Sequence, residues 1–189
     1  MEDPVLPAAA KLQLVLEQLG RPFCFIGGIS VMRWGEPRVT EDADAMVFTD
    51  LADEQQAIDH LLSAFAARRD DAAEFAKAHR VLLLVDLVSG VEFDISLGAF
   101  EYERHAAERA SVSEYAPGIY LRTCSAEDLI VYKAFANRAL DWHDIEGVLI
   151  RQQGKLDFDL IERELTPLVE LKQEPAILDR WAQLRDRHA

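Results

Sequence analysis

The chain has 189 residues, half of them hydrophobic, and a formal net charge of −14. This length and apolar content predict one domain with a full core, or one domain with a small helical appendage, and argue against a disordered chain. Because 34 acidic residues outnumber 20 basic ones, most of the surface repels nucleic acid and anionic membranes, so an RNA contact would need a local basic patch.

The N-terminal segment MEDPVLPAAAKLQLVLEQLG begins with acidic residues and has no apolar stretch of signal-peptide or transmembrane length. This pattern predicts a soluble, cytoplasmic protein with no membrane partner. Cys24 and Cys124 lie far apart and lack metal-ligand spacing, so we expect buried free thiols in a reducing compartment.

Helices and strands alternate along the first part of the chain. Leu12, Leu16 and Leu19 recur at helical spacing, and Gly20 ends that helix. The pattern then predicts, in order, a short strand in PFCFIGG, a brief helix ending near Gly35, a strand over DADAMVF and an amphipathic helix from about Leu51 to Ala67.

The segment RVLLLVDLVSGVEFDISLG predicts a β-hairpin that turns through Ser-Gly. Its second strand alternates between apolar and polar side chains, with Val91, Phe93, Ile95 and Leu97 on one face and Glu92, Asp94 and Ser96 on the other. Asp94 is therefore expected to face away from the core.

The remainder of the chain predicts one more strand and then helices only. GIYLRT is an expected edge strand, and helices are expected at about 125–140, 142–152, 157–172 and 175–187. We therefore expect an α/β core over residues 1–124 and a helical part over residues 125–189 that packs on or beside the sheet.

Two aspartates open the strand DADAMVF. In a strand, Asp42 and Asp44 project from the same face about 6.6 Å apart, close enough to hold one Mg²⁺ or a pair of ions. Without a cation the two carboxylates repel each other, which is a cost that a purely structural strand need not carry. The alternative is a solvated strand end.

A double glycine, Gly27–Gly28, follows the preceding strand. At a strand exit before a short helix, glycines let backbone N–H groups approach a phosphate, although such a pair is more often a tight turn. Together with Asp42, Asp44 and the outward-facing Asp94, the glycines predict a phosphate cradle beside a three-carboxylate metal site. That combination is typical of phosphoryl or nucleotidyl transfer.

Three stretches carry a family resemblance over about residues 22–149. IGG followed thirteen residues later by DADAMV resembles the signature of the nucleotidyltransferase fold of polymerase-beta-like enzymes. RVTEDADAMVF resembles the Arg-x-Thr-x-Asp-x-Asp pattern of the AbiEii-type toxin-like branch, and VEFDIS matches its third acidic strand. SAEDLIVYKAFANRALDWHDIEGVL resembles the helical motif of the same branch.

The resemblance implies a nucleotidyltransferase-like mixed sheet flanked by helices, with a C-terminal helical part. It implies an enzyme that uses Mg²⁺, or Mn²⁺, to move a nucleoside monophosphate from an NTP to an acceptor hydroxyl with release of pyrophosphate. It also implies a toxin–antitoxin setting with a cognate antitoxin. The acceptor is left open between tRNA, a protein and a small molecule, and the net charge favours the latter two.

The resemblance also assigns roles to individual residues. Metal binding falls to Asp42, Asp44 and Asp94, with Lys133 as a fourth catalytic residue. The nucleotide-binding residues it implies are Gly27, Gly28, Ser30, Arg38, Thr40 and Asp144. Gly28 stands where related enzymes carry a serine, so Ser30 is the nearby hydroxyl considered for phosphate contact.

Some of these assignments have structural alternatives. Arg38 either holds the triphosphate or forms a surface ion pair. Asp141 can cap a helix, with Asp144 in its first turn, so capping alone would explain both carboxylates. Lys133 lies in an apolar helix face and either extends its charge to water or meets the triphosphate. Under both readings of Lys133, the fold is expected to tolerate methionine there.

The main alternative to an enzyme is a catalytically idle member of the fold that serves as a binding module or as one half of a protein pair. The complete set of three acidic residues favours the enzyme.

Overall fold

A computed structural model describes residues 4–50 and 53–188. The strands are β1 (Phe23–Phe25), β2 (Asp42–Phe48), β3 (Ala66–Ala67), β4 (Val81–Val85), β5 (Glu92–Gly98), β6 (Ser111–Ala116) and β7 (Ile119–Thr123). The helices are α1 (Val5–Gln18), α2 (Gly27–Trp34), α3 (Glu54–Ala64), α4 (Ala72–His79), α5 (Glu101–Arg109), α6 (Ala126–Ala136), α7 (Ala139–Arg151), α8 (Phe158–Lys172) and α9 (Ala176–His188).

The chain divides into two compact units. The first contains the residues up to Ile29 together with Val39–Cys124, and the second contains Ser30–Arg38 together with the residues from Ser125 onward. All seven strands lie in the first unit, where α1, α3, α4 and α5 pack around the sheet. In the second unit, α6 packs against α7 and α8, and α9 packs against all three.

The seven strands form one mixed sheet in the order β3-β4-β5-β2-β1-β7-β6. β2 runs antiparallel to β1 and parallel to β5. The predicted alternation holds on β5, where Phe93 and Ile95 are fully buried while the intervening polar residues are not. On β2 the aspartates alternate with buried alanines up to Ala45, and Met46 and Val47 are then both buried. This sheet with its helices confirms the predicted mixed α/β fold class.

Two elements differ from the sequence predictions. GIYLRT is not an edge strand, since β7 lies between β1 and β6. Half of the residues of the edge strand β6 are polar and none is fully buried, so its sequence carries only a weak hydrophobic signal. The helix expected to reach Ala67 ends at Ala64, because Phe65 turns extended and packs edge-on against Phe93, 5.0 Å between ring centroids.

The predicted helix boundaries elsewhere are close to those observed. α6 ends at Ala136 rather than near residue 140, because the next residue, Asn137, adopts a left-handed conformation. The following helix starts at Ala139. The expected helix start at Leu51 lies outside the described residues. Cys24 and Cys124 are both buried, as predicted. Within residues 4–50 and 53–188, no helix is both long and apolar enough to cross a membrane.

Candidate active site

Four carboxylates lie side by side on two neighbouring strands. The parallel register pairs Asp42 with Glu92 and Asp44 with Asp94, so all four project from the same face of the sheet. Neighbouring strands are about 4.8 Å apart and alternate residues along a strand about 6.6 Å apart. We call this group, Asp42, Asp44, Glu92 and Asp94, the carboxylate face. The sequence predicted three of its members and did not assign Glu92.

Arg68 is a basic residue that contacts this face. Its guanidinium forms ion pairs with both Glu92 and Asp94, and its side chain is about one-fifth exposed. Arg68 follows β3, and its backbone N–H donates to the carbonyl oxygen of Leu83 in β4 at 3.1 Å. The short strand β3 thus fixes the backbone from which Arg68 reaches β5.

The electrostatic surroundings of Asp94 are mixed. Burial raises the pKa of Asp94 above its ordinary value; the charge of Arg68 opposes this effect, and the charge of Asp42 adds to it. The charge of Asp42 acts on Asp94 because the parallel register brings the two strands side by side. A cation that neutralised both would remove the repulsion between them.

The donor set of the carboxylate face fits a hard divalent cation, because Mg²⁺ prefers carboxylate oxygens. The backbone register brings Asp42, Asp44 and Asp94 to adjacent positions. Their side chains are not gathered around one point, however. Across the part of the chain that the structure describes, no three Asp, Glu, His or Cys side chains are grouped closely enough to hold a metal ion. Asp94 instead contacts Arg68.

The double glycine lies against the acidic strand. A Cβ added at Gly27 would stand 1.8 Å from Oδ2 of Asp44, and one added at Gly28 would stand 2.4 Å from Oγ1 of Thr40. Gly27 also has a left-handed φ of +56°. Within this structure the glycines are therefore needed to make room for Asp44 and Thr40.

Thr40 is a buried polar residue that orients the first aspartate. Its hydroxyl donates to Oδ1 of Asp42 at 2.9 Å, and the carbonyl oxygen of Asp42 lies 3.2 Å away. Thr40 is thus a partner of Asp42 in this structure. Ser30, the other predicted hydroxyl, is fully buried, so its side chain is closed to solvent.

The contact between Gly27 and Asp44 leads to a testable expectation. Gly27→Ala should lower the free energy of unfolding by about 1–3 kcal/mol more than Gly20→Ala, because both sites have positive φ but only Gly27 lacks space for a methyl group. Urea unfolding of the two variants measures the difference. Equal losses would show that backbone conformation, and not contact with Asp44, requires the glycine.

Lys133 lies in a buried ionic cluster within the second unit. Its ammonium donates to Oδ2 of Asp144 at 2.7 Å and to Oδ1 of Asp141 at 3.2 Å. Arg38 contacts the same Asp144 through Nε at 3.1 Å and Nη2 at 3.2 Å. Lys133 is only 5% exposed, so its charge does not extend to water. Arg38 pairs with a buried carboxylate rather than with a surface one.

Asp141 is not the N-cap of its helix. Arg138 occupies that position, and Asp141 accepts the Arg138 backbone N–H at 3.1 Å from the third helical position. Burial alone would raise the pKa of Asp141, but hydrogen bonds from Arg138 and the charge of Lys133 outweigh it and lower the pKa. Capping therefore explains part of the role of Asp141 and none of the contacts of Asp144.

A second group of contacts holds the segment that carries Arg38 against α7. A Cβ at Gly147 would lie 3.1 Å from the backbone nitrogen of Glu36, and Gln152 donates to the carbonyl oxygen of Trp34 at 3.0 Å. Arg151 also donates to the carbonyl oxygen of Gly35. These contacts explain why α7 has a glycine in its middle.

Comparison with known proteins gives one family and a set of similar folds. The model of the family described as "Nucleotidyl transferase AbiEii toxin, Type IV TA system" matches residues 12–187. No curated protein matches the chain.

Two solved structures illustrate the fold similarity. The chain is similar to the crystal structure of an antigenic nucleotidyltransferase-like protein from Paracoccidioides brasiliensis, with a TM-score of 0.51 and 16% identity over 95% of this chain and 92% of that one. It is also similar to the solution structure of the antibiotic-resistance factor ANT(2'')-Ia, with a TM-score of 0.49 and 15% identity over 97% and 96% of the two chains. At these identities, the first similarity shows the nucleotidyltransferase-like fold alone.

Proposed function

The chain belongs to the AbiEii nucleotidyltransferase toxin family, and we propose that it moves a nucleoside monophosphate from an NTP to an acceptor hydroxyl with release of pyrophosphate. The family and the fold support an enzyme of the nucleotidyl-transfer class. The observation that carries the proposal is the parallel pairing of β2 with β5, which brings Asp44 beside Asp94 next to the double glycine.

Asp42, Asp44 and Asp94 would hold Mg²⁺ or Mn²⁺. When bound, such an ion supplies Lewis-acid stabilisation of the triphosphate and a lower pKa for the attacking hydroxyl. Thr40 orients the Asp42 carboxylate through its hydroxyl. Asp44 can occupy its position because Gly27 has no side chain, and a Cβ there would overlap its carboxylate.

The phosphate contact would come from backbone N–H groups at the start of α2. The first N–H groups of a helix have no partner inside the helix and favour an anion. Gly27 and Gly28 occupy the first two positions of α2, whereas the Ser30 hydroxyl is buried. Arg38 and Asp144 stay predicted nucleotide-binding residues, and Lys133 stays a predicted catalytic residue. The ion pairs of Asp144 with Arg38 and Lys133 account for the burial of Lys133 and Asp144 without a nucleotide.

The family description supports an antitoxin partner for this chain and an NTP as substrate. For the acceptor we favour a protein or a small molecule over tRNA, because a net charge of −14 opposes the approach of a polyanion.

One observation favours a second candidate function, a catalytically idle binding module. Arg68 already neutralises part of the carboxylate face, as it would in a protein that never binds a metal. The two candidates differ in whether nucleotide is consumed.

Incubating the full chain with each labelled NTP, Mg²⁺ and a cell extract tests the proposal. We expect one NTP to label a protein, RNA or small-molecule fraction, with release of pyrophosphate and with no labelling when EDTA is present. Absence of labelling and of pyrophosphate with all four NTPs, in both Mg²⁺ and Mn²⁺, would leave the binding module as the better description.

A further inference from the structure

The carboxylate face carries more negative charge than a metal-free protein can hold without cost. Four carboxylates occupy adjacent positions on two paired strands, and unit charges a few ångströms apart repel by about 1–4 kcal/mol near a protein surface. Arg68 contacts the two members of the face that lie on β5. The positive charge of Arg68 therefore offsets part of the repulsion between the carboxylates.

The two partners of Arg68 differ in their expected roles. Asp94 is a proposed metal ligand, whereas Glu92 is not needed for any role assigned so far. Glu92 is also the more exposed of the two, with 55% of its side chain accessible against 41% for Asp94. A cation that takes Asp94 would therefore leave Arg68 attached to Glu92.

We propose that Arg68 is a phosphate-positioning residue, which neutralises Asp94 in the metal-free protein and turns toward the NTP triphosphate when a divalent cation takes Asp94. Glu92 acts as the tether that keeps the guanidinium beside the site during this exchange. The inference rests on the proposed function and adds to it a residue that binds and positions the triphosphate.

The hydrogen bonding of Arg68 supports a second arrangement of its side chain. Its Nε is buried and has no hydrogen-bond partner among residues 4–50 and 53–188. A buried donor left unpaired is unfavourable, so the guanidinium has capacity for a further acceptor. A triphosphate oxygen is such an acceptor, and a planar guanidinium matches phosphate geometry well.

The alternative interpretation is that Arg68 forms purely structural salt bridges with Glu92 and Asp94 and has no role in binding nucleotide. Two tests separate it from the proposal, both made by calorimetry on the full chain with Mn²⁺ and a non-hydrolysable NTP analogue. Arg69→Gln is the matched control, because Arg69 is adjacent and pairs with the exposed Asp71 at 2.8 Å rather than with β5.

For Arg68→Gln we expect Mn²⁺ alone to bind several-fold tighter, since its competitor for Asp94 is gone. The NTP analogue at saturating Mn²⁺ should bind about tenfold more weakly, as for the loss of one charge-assisted hydrogen bond. Arg69→Gln should leave both affinities within twofold of the wild type. Equal shifts in the two variants would overturn the proposal.

Glu92→Gln gives the sharper result, and it removes no proposed metal ligand. If the surface charge alone governs nucleotide binding, removing a negative charge should strengthen binding of the analogue. If Glu92 is the tether, its loss should weaken that binding about tenfold at saturating Mn²⁺. Stronger or unchanged binding would overturn the proposal.

Failure of this inference can be told from failure of the proposed function. If the wild type binds Mn²⁺ and the analogue but neither Arg68→Gln nor Glu92→Gln changes those affinities, only the role of Arg68 is wrong. If the wild type binds neither Mn²⁺ nor the analogue, both the proposed metal-dependent function and the role of Arg68 are wrong.

Discussion

Replacing Asp42 and Asp44 together by asparagine is expected to abolish nucleotidyl transfer while the sheet stays folded. Asparagine keeps the shape of each side chain but removes the charge that would hold a divalent cation. Metal ions contribute several kcal/mol of transition-state stabilisation, so the rate should fall by about a thousandfold or more. The fold should persist because the substitutions relieve repulsion on the carboxylate face instead of adding it.

Transfer rates and melting temperatures of the double variant, with and without Mg²⁺ and NTP, measure this result. Ligands should raise the melting temperature of the wild type only. Glu41→Gln is the matched control, because Glu41 is an exposed carboxylate next to Asp42 that lies outside β2. A folded double variant that transfers within tenfold of the wild type would refute the metal assignment.

Replacing Lys133 by methionine is expected to destabilise the protein by about 3 kcal/mol, contrary to the sequence-based expectation that methionine is tolerated. The ammonium is the shared partner of two buried carboxylates, Asp141 and Asp144. Methionine would leave both with fewer compensating charges in a site closed to water. The helix face looked apolar in the sequence because the carboxylates that meet Lys133 come from α7.

Urea unfolding measures the loss, and Lys172→Met is the control. Lys172 pairs with the half-exposed Glu174 at 3.1 Å, and a pair of that kind contributes about 0–1 kcal/mol. If Lys133 also contacts nucleotide, the transfer rate per folded molecule should fall by about a hundredfold or more. A stable variant with wild-type transfer would contradict both roles.

The sequence predicted the central part of the fold well because its patterns are strong there. β2 spans the predicted residues, and the β4–β5 hairpin keeps the predicted faces. The prediction failed where tertiary contacts override local pattern. Phe65 follows the end of α3 and packs on Phe93, and the half-polar strand β6 joins the sheet by pairing with β7. Neither contact is encoded in the residues of the element itself.

For the candidate site, the residue types could be predicted from the sequence, but their partners could not. The sequence identified the acidic strands from their spacing, yet it could not show that Arg68 reaches β5 or that Arg38 reaches Asp144 across more than a hundred residues. The contacts of the double glycine also depend on tertiary packing, which the local sequence does not predict. Its immediate neighbours are the side chains of Asp44 and Thr40, a fact that only the packing of β1 and β2 reveals.

The parallel pairing of β2 with β5 also determines when the carboxylate face can form during synthesis of the chain. β2 can pair with the earlier strand β1, but its parallel partner β5 begins at Glu92, fifty residues beyond Asp42. A ribosome that has translated β2 has therefore made two of the four carboxylates without the strand that aligns them. A nascent chain released before β5 lacks Glu92 and Asp94, so the carboxylate face is complete only in chains translated past β5.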